Sequence, residues 1–190
     1  MKKQSAEYYK RIGQQIELQS IETVTEYLTH AISDDNSVLI TAKESASDAL
    51  TEQQRKHFSE LGLEKLSTID TNESYLAVIG PNGKILKEEK AEEGKGSPIS
   101  YKGSFGGGIS YKLMSGGLND GDIAYCQVRK DDFSLNERGL NIVVFNHEIG
   151  EVVDSAAFDT DASRSRDVYS INKPQEVAAL TDDDAGNRRF

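Results

Sequence analysis

Residues 5–18 combine a helical period with few apolar side chains. Tyr9, Ile12 and Ile16 recur at intervals of three and four residues, which is the spacing of side chains on one face of an α-helix. The stripe is narrow, and an isolated helix of about 14 residues is marginal in water. We therefore predict a helix whose apolar stripe packs on another surface, and we expect a partner protein to supply that surface.

Two further helices are predicted in the first third of the chain. One spans residues 20–32 and has a broader apolar face. Ser20 is the expected N-cap of this helix. The segment LTEQQRKHFSELG begins with Thr51 and Gln54 at the spacing of a capping box. Between the two helices, the β-branched run SVLITA (37–42) predicts the first strand.

After residue 70 the hydrophobic pattern takes the period of β-strands. A Pro-Asn-Gly turn separates two runs of a predicted hairpin, and a second hairpin is predicted around the sequence HEIG. The predicted strands are 74–80, 84–90, 99–102, 109–115, 123–128, 140–146 and 151–158. The fold class predicted from this order is α+β, a mainly antiparallel β-sandwich with flanking helices.

Composition divides the chain into three parts. Residues 1–19 form an N-terminal helical arm, residues 20–162 a β-rich domain, and residues 163–190 an extended C-terminal arm without a sustained hydrophobic period. The two arms are expected to carry the contacts with other subunits, because neither has enough apolar surface to fold alone. The expected contact residues are Tyr9, Ile12, Ile16, Tyr169 and Ile171.

Charge and hydropathy exclude several kinds of partner. The 190 residues carry 32 acidic and 22 basic side chains, a net charge of −10, and no basic run, so nucleic acid and anionic membranes are not expected partners.

No apolar run approaches the roughly 20 residues of a membrane helix, and the first residues lack the apolar segment of a secretory signal. Cys126 is the only cysteine, so no internal disulfide forms. We expect synthesis in the cytosol without secretion by a signal peptide.

Each candidate for chemistry has a structural explanation that is preferred. The glycine cluster GSFGGG (103–108) lacks the GK[ST] ending of a phosphate loop and is interpreted as a hinge or strand kink. His30, His57 and His147 have no second histidine or cysteine at ligand spacing. Cys126 is in phase with the apolar positions of its strand and is predicted to be a core residue. We expect no metal, no cofactor and no catalytic residues.

The segment RGLNIVVFNHEIGEVVDSAAFDT (138–160) resembles the first strand pair of the interleukin-like EMT inducer (ILEI, or PANDER-like) domain. The strand ISYKLMSGG, the helix leading into SVLITA and the strand ESYLAVIG resemble further parts of that domain, so the resemblance covers most of residues 20–160. It implies a β-sandwich flanked by helices, found in secreted cytokine-like proteins, in the sugar-binding stem of a glycan-building transferase, and in bacteriophage proteins. It implies no catalytic residues.

The chain departs from the family in two respects. The family's disulfide-forming cysteines are missing, and the RGLN hairpin follows the SVLI strand, although it precedes that strand in the family. A circular permutation, with the halves rejoined through residues 80–108, would explain this order. Exchange of halves between neighbouring chains would explain it as well and would make an oligomer obligatory.

Three classes of function are considered. The predicted function is a non-enzymatic structural or adaptor component of a large assembly. The assembly first considered is a bacteriophage virion, with the protein in the tail or associated with the capsid, and its partners are other subunits or copies of itself. The alternative is a carbohydrate-binding module, with Tyr101 and Phe105 beside the glycine cluster as candidate glycan contacts. An enzyme whose site is assembled from distant residues is the third class.

Overall fold

The computed structural model describes residues 2–160 and 170–172. The helices are α1 (Lys2–Gln19), α2 (Val24–Ala31), α3 (Glu52–Glu60) and α4 (Glu64–Ser67). The strands are β1 (Asn36–Glu44), β2 (Ser74–Ile79), β3 (Ile85–Ala91), β4 (Ile99–Phe105), β5 (Ile109–Gly117), β6 (Ile123–Val128), β7 (Asp131–Asp132), β8 (Gly139–Asn146), β9 (Glu151–Phe158) and β10 (Ser170–Asn172). Apart from β10, the predicted arm 163–190 lies outside the described residues.

Strand β1 is central because it is hydrogen-bonded on both sides. Strand β8 pairs antiparallel with it along eight positions, from Asn36 opposite Asn146 to Lys43 opposite Gly139. Strand β2 pairs antiparallel on the other side. Strands β3, β9 and β10 extend this layer outward.

Strands β4 to β7 form the second layer of the sandwich. Within it β4, β5, β6 and β7 pair antiparallel in chain order. The layers join where the end of β1 runs parallel to the end of β5, with Glu44 opposite Gly117. A Cβ at Gly117 would lie 1.8 Å from the carbonyl oxygen of Asn72, so this junction requires glycine. The predicted class, α+β with a mostly antiparallel, sandwich-like sheet, is confirmed.

Two apolar cores lie on opposite faces of the first layer. One lies beneath the helices; its members include Leu18, Val24, Tyr27, Leu28, Val38, Ile40, Phe58, Leu66, Ile142 and Phe158. The other lies between the layers; its members include Leu39, Leu76, Val78, Phe105, Tyr111, Leu113, Cys126, Val143 and Phe145. Burial on both faces explains why Val38, Leu39 and Ile40 follow one another in β1 without the alternation of a half-exposed strand. Cys126 is a core residue as predicted, with 2% of its surface exposed.

Helices α2 and α3 each begin with a side chain that caps the helix. The sequence predicts the capping residue of α3 correctly and that of α2 wrongly. Thr51 and Gln54 form the reciprocal capping box of α3. The predicted N-cap of α2 is wrong, because Thr23 caps that helix through Glu26 N. Ser20 Oγ instead donates to the carbonyl oxygen of Glu17 at the end of α1, at 2.6 Å. The spacing from Thr23 to Glu26 is itself a capping-box signal.

The glycine cluster is less open than the sequence suggests. Residues 103–105 belong to β4, and only residues 106–108 form the turn to β5. Phe105 pairs with Ile109 across this hairpin and is buried in the interlayer core. None of the helices in residues 2–160 is long and apolar enough to cross a membrane.

Candidate functional site

Helix α1 contacts the rest of the protein through a face that is largely polar. Gln15 and Leu18 are buried there, and the helix packs on β9. The Nδ2 group of Asn146 donates to Gln14 Oε1 at 3.3 Å. Two ion pairs connect α1 to the β8–β9 hairpin, Lys10 with Glu148 and Arg11 with Glu151. The helix is therefore fixed on its own domain by polar contacts and one buried leucine.

The apolar stripe of α1, which consists of Tyr9, Ile12 and Ile16, lies away from that contact. Tyr9 is 72% exposed and Ile16 is 63% exposed, while Ile12 is half-buried at the flank. At 3.6 residues per turn, Tyr9 and Ile16 lie about opposite Leu18 on the helix. Gly13 lies between them, with nothing within 4 Å of the position that its Cβ would take. The α1 stripe is thus an apolar surface facing solvent.

Of the five predicted contact residues, three lie on α1. The structure brings Tyr9, Ile12 and Ile16 together on the outer half of one helix. Tyr169 lies outside the described residues. Ile171 is in β10, where its backbone stands opposite Ala157 of β9, and its side chain is outside what the structure describes. The contact role of these residues remains a prediction.

A polar groove of about 370 Å³ separates α2 from α3. Thr29 Oγ1 lies 2.9 Å from His57 Nε2 across this groove, and His30 Nδ1 lies 3.3 Å from Glu17 Oε1. The lining residues are Thr23, Thr25, Glu26, Thr29, His30, Gln53, Gln54 and His57. Hydroxyl, amide and imidazole groups can both donate and accept hydrogen bonds. In residues 2–160, no group of three or more His, Cys, Asp or Glu is placed to hold a metal ion.

The two candidate glycan contacts have different environments. Phe105 is 5% exposed, and its ring stacks on Phe145 with centroids 4.4 Å apart, so it is a core residue. Tyr101 is half-buried, and Lys87 Nζ lies 5.3 Å from the centre of its ring. Burial raises the pKa of the neighbouring Tyr111 to about 12, helped by the nearby Tyr101. Only Tyr101 of the predicted pair presents surface to a ligand.

His147 has a structural position in the β8–β9 turn. Its ring meets Phe105 and Phe145 edge-on, and its Nε2 lies 2.7 Å from Ser37 Oγ at the start of β1. Burial lowers the pKa of His147, and the charge of Asp35 partly opposes that shift. The neutral imidazole therefore fits this position at neutral pH.

The ends of the RGLN hairpin are held by close contacts. Arg138 donates twice to the carboxylate of Asp159, with Nη2 to Oδ2 at 2.6 Å and Nε to Oδ1 at 3.2 Å. Gly139 has a φ of +97°, and a Cβ there would lie 2.2 Å from the carbonyl oxygen of Phe158. The segment 138–160, which carries the family resemblance, therefore contains three residues with structural roles: Arg138, Gly139 and Asp159. A further buried link, which no local sequence pattern indicates, is the hydrogen bond that Tyr27 Oη donates to Asp154 Oδ2 at 2.6 Å.

Comparison with known proteins gives one result. Residues 5–84 match the model of the interleukin-like EMT inducer (ILEI) family. The match begins within α1 and ends in the turn after β2, while the predicted domain boundary at residue 20 remains a prediction. No curated protein and no solved structure gives a significant match. The family match supports an ILEI-like domain in this chain.

Proposed function

We propose that the chain is a non-enzymatic structural or adaptor component of a large assembly and that α1 makes the contact. The α1 stripe is the observation that carries this proposal. Tyr9 and Ile16 are among the most exposed large apolar side chains of the described residues. They are held on a helix that is fixed from behind by Leu18 and by ion pairs. Exposed apolar surface presented on a fixed element is typical of an interaction site.

The assembly we propose is a bacteriophage virion, with the chain in its tail or associated with its capsid. This part of the proposal rests on the ILEI-like domain, since domains resembling it occur in bacteriophage proteins. The chain would then be made in the bacterial cytoplasm and incorporated into particles. Its partners would be other subunits or further copies of itself.

A circular permutation is proposed as the origin of the element order. The family match stops at residue 84, before the RGLN hairpin, and β8 pairs with β1 along eight positions of the same chain. The joining segment 80–108 is anchored by the buried carboxylate of Asp120, which accepts hydrogen bonds from Gly94 N and Gly96 N. A folded monomer at high dilution would support closure within one chain, and a folded state found only in oligomers would contradict it.

Incorporation into particles tests the proposed function. Particles would be assembled in cells that produce the wild-type chain, the Ile16→Glu variant or the Leu118→Glu variant. Leu118 is a matched control, because it is an exposed leucine outside α1. Mass spectrometry of purified particles should detect the wild type and the Leu118 variant and should show strong depletion of the Ile16 variant. Absence of the wild-type chain from particles, or equal amounts of all three, would contradict the proposal.

Carbohydrate recognition remains the alternative, and the groove between α2 and α3 favours it. Its threonine, glutamine and histidine side chains offer the mixed donors and acceptors that sugar hydroxyls require. A glycan array would test it with the wild type, a Thr25→Val/His57→Ala variant of the groove, and a Tyr101→Ala variant. Binding that is lost only in the groove variant would support this alternative, and no binding to any glycan would contradict it.

A further inference from the structure

We propose that the α1 stripe docks on the same stripe of a second copy of this chain, with the two helices antiparallel about a two-fold axis. The inference rests on the proposed function in so far as both use this surface, and it names the partner. The arrangement of apolar, small and charged residues on the outer half of α1 carries it.

The stripe is symmetric along the helix. Tyr9 and Ile16 stand at equal distances from a point between Ile12 and Gly13. When two such helices are placed antiparallel about that point, Tyr9 of one copy faces Ile16 of the other. The Gly13 residues of the two copies then meet on the same side of the interface, and the open space at this position lets the two helices approach closely. A surface that complements itself in this way is what a two-fold interface requires.

Charge on one flank of the stripe supports the same arrangement. Lys10 and Glu17 are seven residues apart on this flank, and their side chains are 41% and 62% exposed. In the antiparallel pair, Lys10 of each copy lies beside Glu17 of the other, which gives two equivalent ion pairs. In a parallel pair this flank would face the opposite flank, where Tyr8 and Gln19 carry no charge. Electrostatics therefore favour the antiparallel pair.

The existing contacts of these two residues are compatible with the pairing. Lys10 pairs with Glu148, and Glu17 pairs with His30, at the exposed surface of their own chain. An exposed ion pair contributes little to stability, so either side chain can also interact with a second copy at little cost. The larger part of the association would come from burying Tyr9 and Ile16.

Sedimentation of the full chain over a wide concentration range tests the inference. The wild type should change from monomer to dimer as concentration rises, and so should the Leu118→Glu control. Ile16→Glu should remain monomeric at every concentration, with an unchanged melting temperature. A wild type that is monomeric throughout, or an Ile16→Glu variant that dimerises as well as the wild type, would overturn the inference.

Charge reversal and cross-linking test the direction of the helices. Lys10→Glu should weaken dimerisation about tenfold, and Lys10→Glu/Glu17→Lys should restore it. A mixture of Tyr9→Cys and Ile16→Cys chains should form a disulfide between the two variants under oxidation, while the wild type, whose Cys126 is buried, should not cross-link. Disulfides formed only between identical variants, or no rescue by the double reversal, would overturn the antiparallel arrangement.

The outcomes separate this inference from the proposed function. If the wild-type chain is a monomer and Ile16→Glu is still lost from particles, the second copy is the wrong partner and the adaptor proposal stands. If Ile16→Glu abolishes the dimer but the variant still enters particles, the dimer stands and the proposed role of α1 in assembly is wrong.

Discussion

Arg138 and Asp159 form a two-bond ion pair across the open end of the β8–β9 hairpin, where the first strand begins and the second ends. The carboxylate side chain is only 7% exposed, so its charge depends on the guanidinium for compensation. The planar guanidinium matches both carboxylate oxygens. The pair fixes the ends of the hairpin whose strand β8 pairs with β1 in the first layer.

Replacement of Arg138 by alanine should destabilise the fold by about 3 kcal/mol, because it leaves a buried carboxylate without its main partner. Denaturant unfolding measures the effect. Lys56→Ala is the control, since Lys56 forms an exposed ion pair with Glu60, and it should cost less than about 0.5 kcal/mol. Equal effects of the two substitutions would show that the hairpin does not depend on the ion pair.

Gly139→Ala should destabilise the protein by more than about 3 kcal/mol. The substitution places a Cβ against the backbone of Phe158 at a position whose φ is +97°. Gly106 is the matched control, because its Cβ would meet nothing within 4 Å, and Gly106→Ala should change the unfolding free energy by no more than about 0.5 kcal/mol. A stable Gly139→Ala protein would contradict the close packing at this corner.

Tyr27→Phe removes the hydroxyl that donates to Asp154 between α2 and β9. Both side chains are buried, and a hydrogen bond to a charged group contributes about 1.5 to 3 kcal/mol, so a loss of that size is expected in urea unfolding. Tyr125→Phe removes a half-exposed hydroxyl bonded to Gln127 and should cost less than about 1 kcal/mol. If the first variant is as stable as the second, the buried link does not stabilise the fold.

The stability of the protein should fall as pH drops below the ordinary pKa of histidine, and His147 should contribute to this fall. Its pKa is lowered in the folded state by burial, so the unfolded chain binds a proton first and protonation favours unfolding. The melting temperature of the wild type and of His147→Gln would be measured between about pH 5 and pH 8. The variant should show a shallower decline on the acidic side, and identical slopes would show that His147 has no part in it.

Local signals allowed much of the fold to be predicted from the sequence. The capping box of Thr51 and Gln54, the Pro-Asn-Gly turn and the two runs around HEIG depend on neighbouring residues, and all of them appear in the structure. The environment of Phe105 was not predicted, because the glycines around it indicate a flexible loop, whereas Phe105 ends β4 and pairs with β5. Tertiary packing determines whether such a position is buried, and it produces no pattern in the neighbouring sequence.

The candidate site was predicted only in part, for a similar reason. Periodicity places Tyr9, Ile12 and Ile16 on one face, but it cannot tell which face of a helix the domain covers. The covered face is set by Leu18 and by polar contacts with β8 and β9, more than a hundred residues away in the chain. The groove between α2 and α3 was not predicted either, because its lining comes from two separate helices.

The orientation of α1 supports both proposals, and comparison of Leu18→Ala with Ile16→Ala tests it most directly. Unfolding free energies would be measured at high dilution, so that association does not contribute. Leu18 is buried beneath α1 and Ile16 is exposed above it. Leu18→Ala should cost about 2 to 4 kcal/mol, whereas Ile16→Ala should change stability by less than about 0.5 kcal/mol. A loss at Ile16 equal to that at Leu18 would mean that the stripe packs on its own domain, and it would contradict the account.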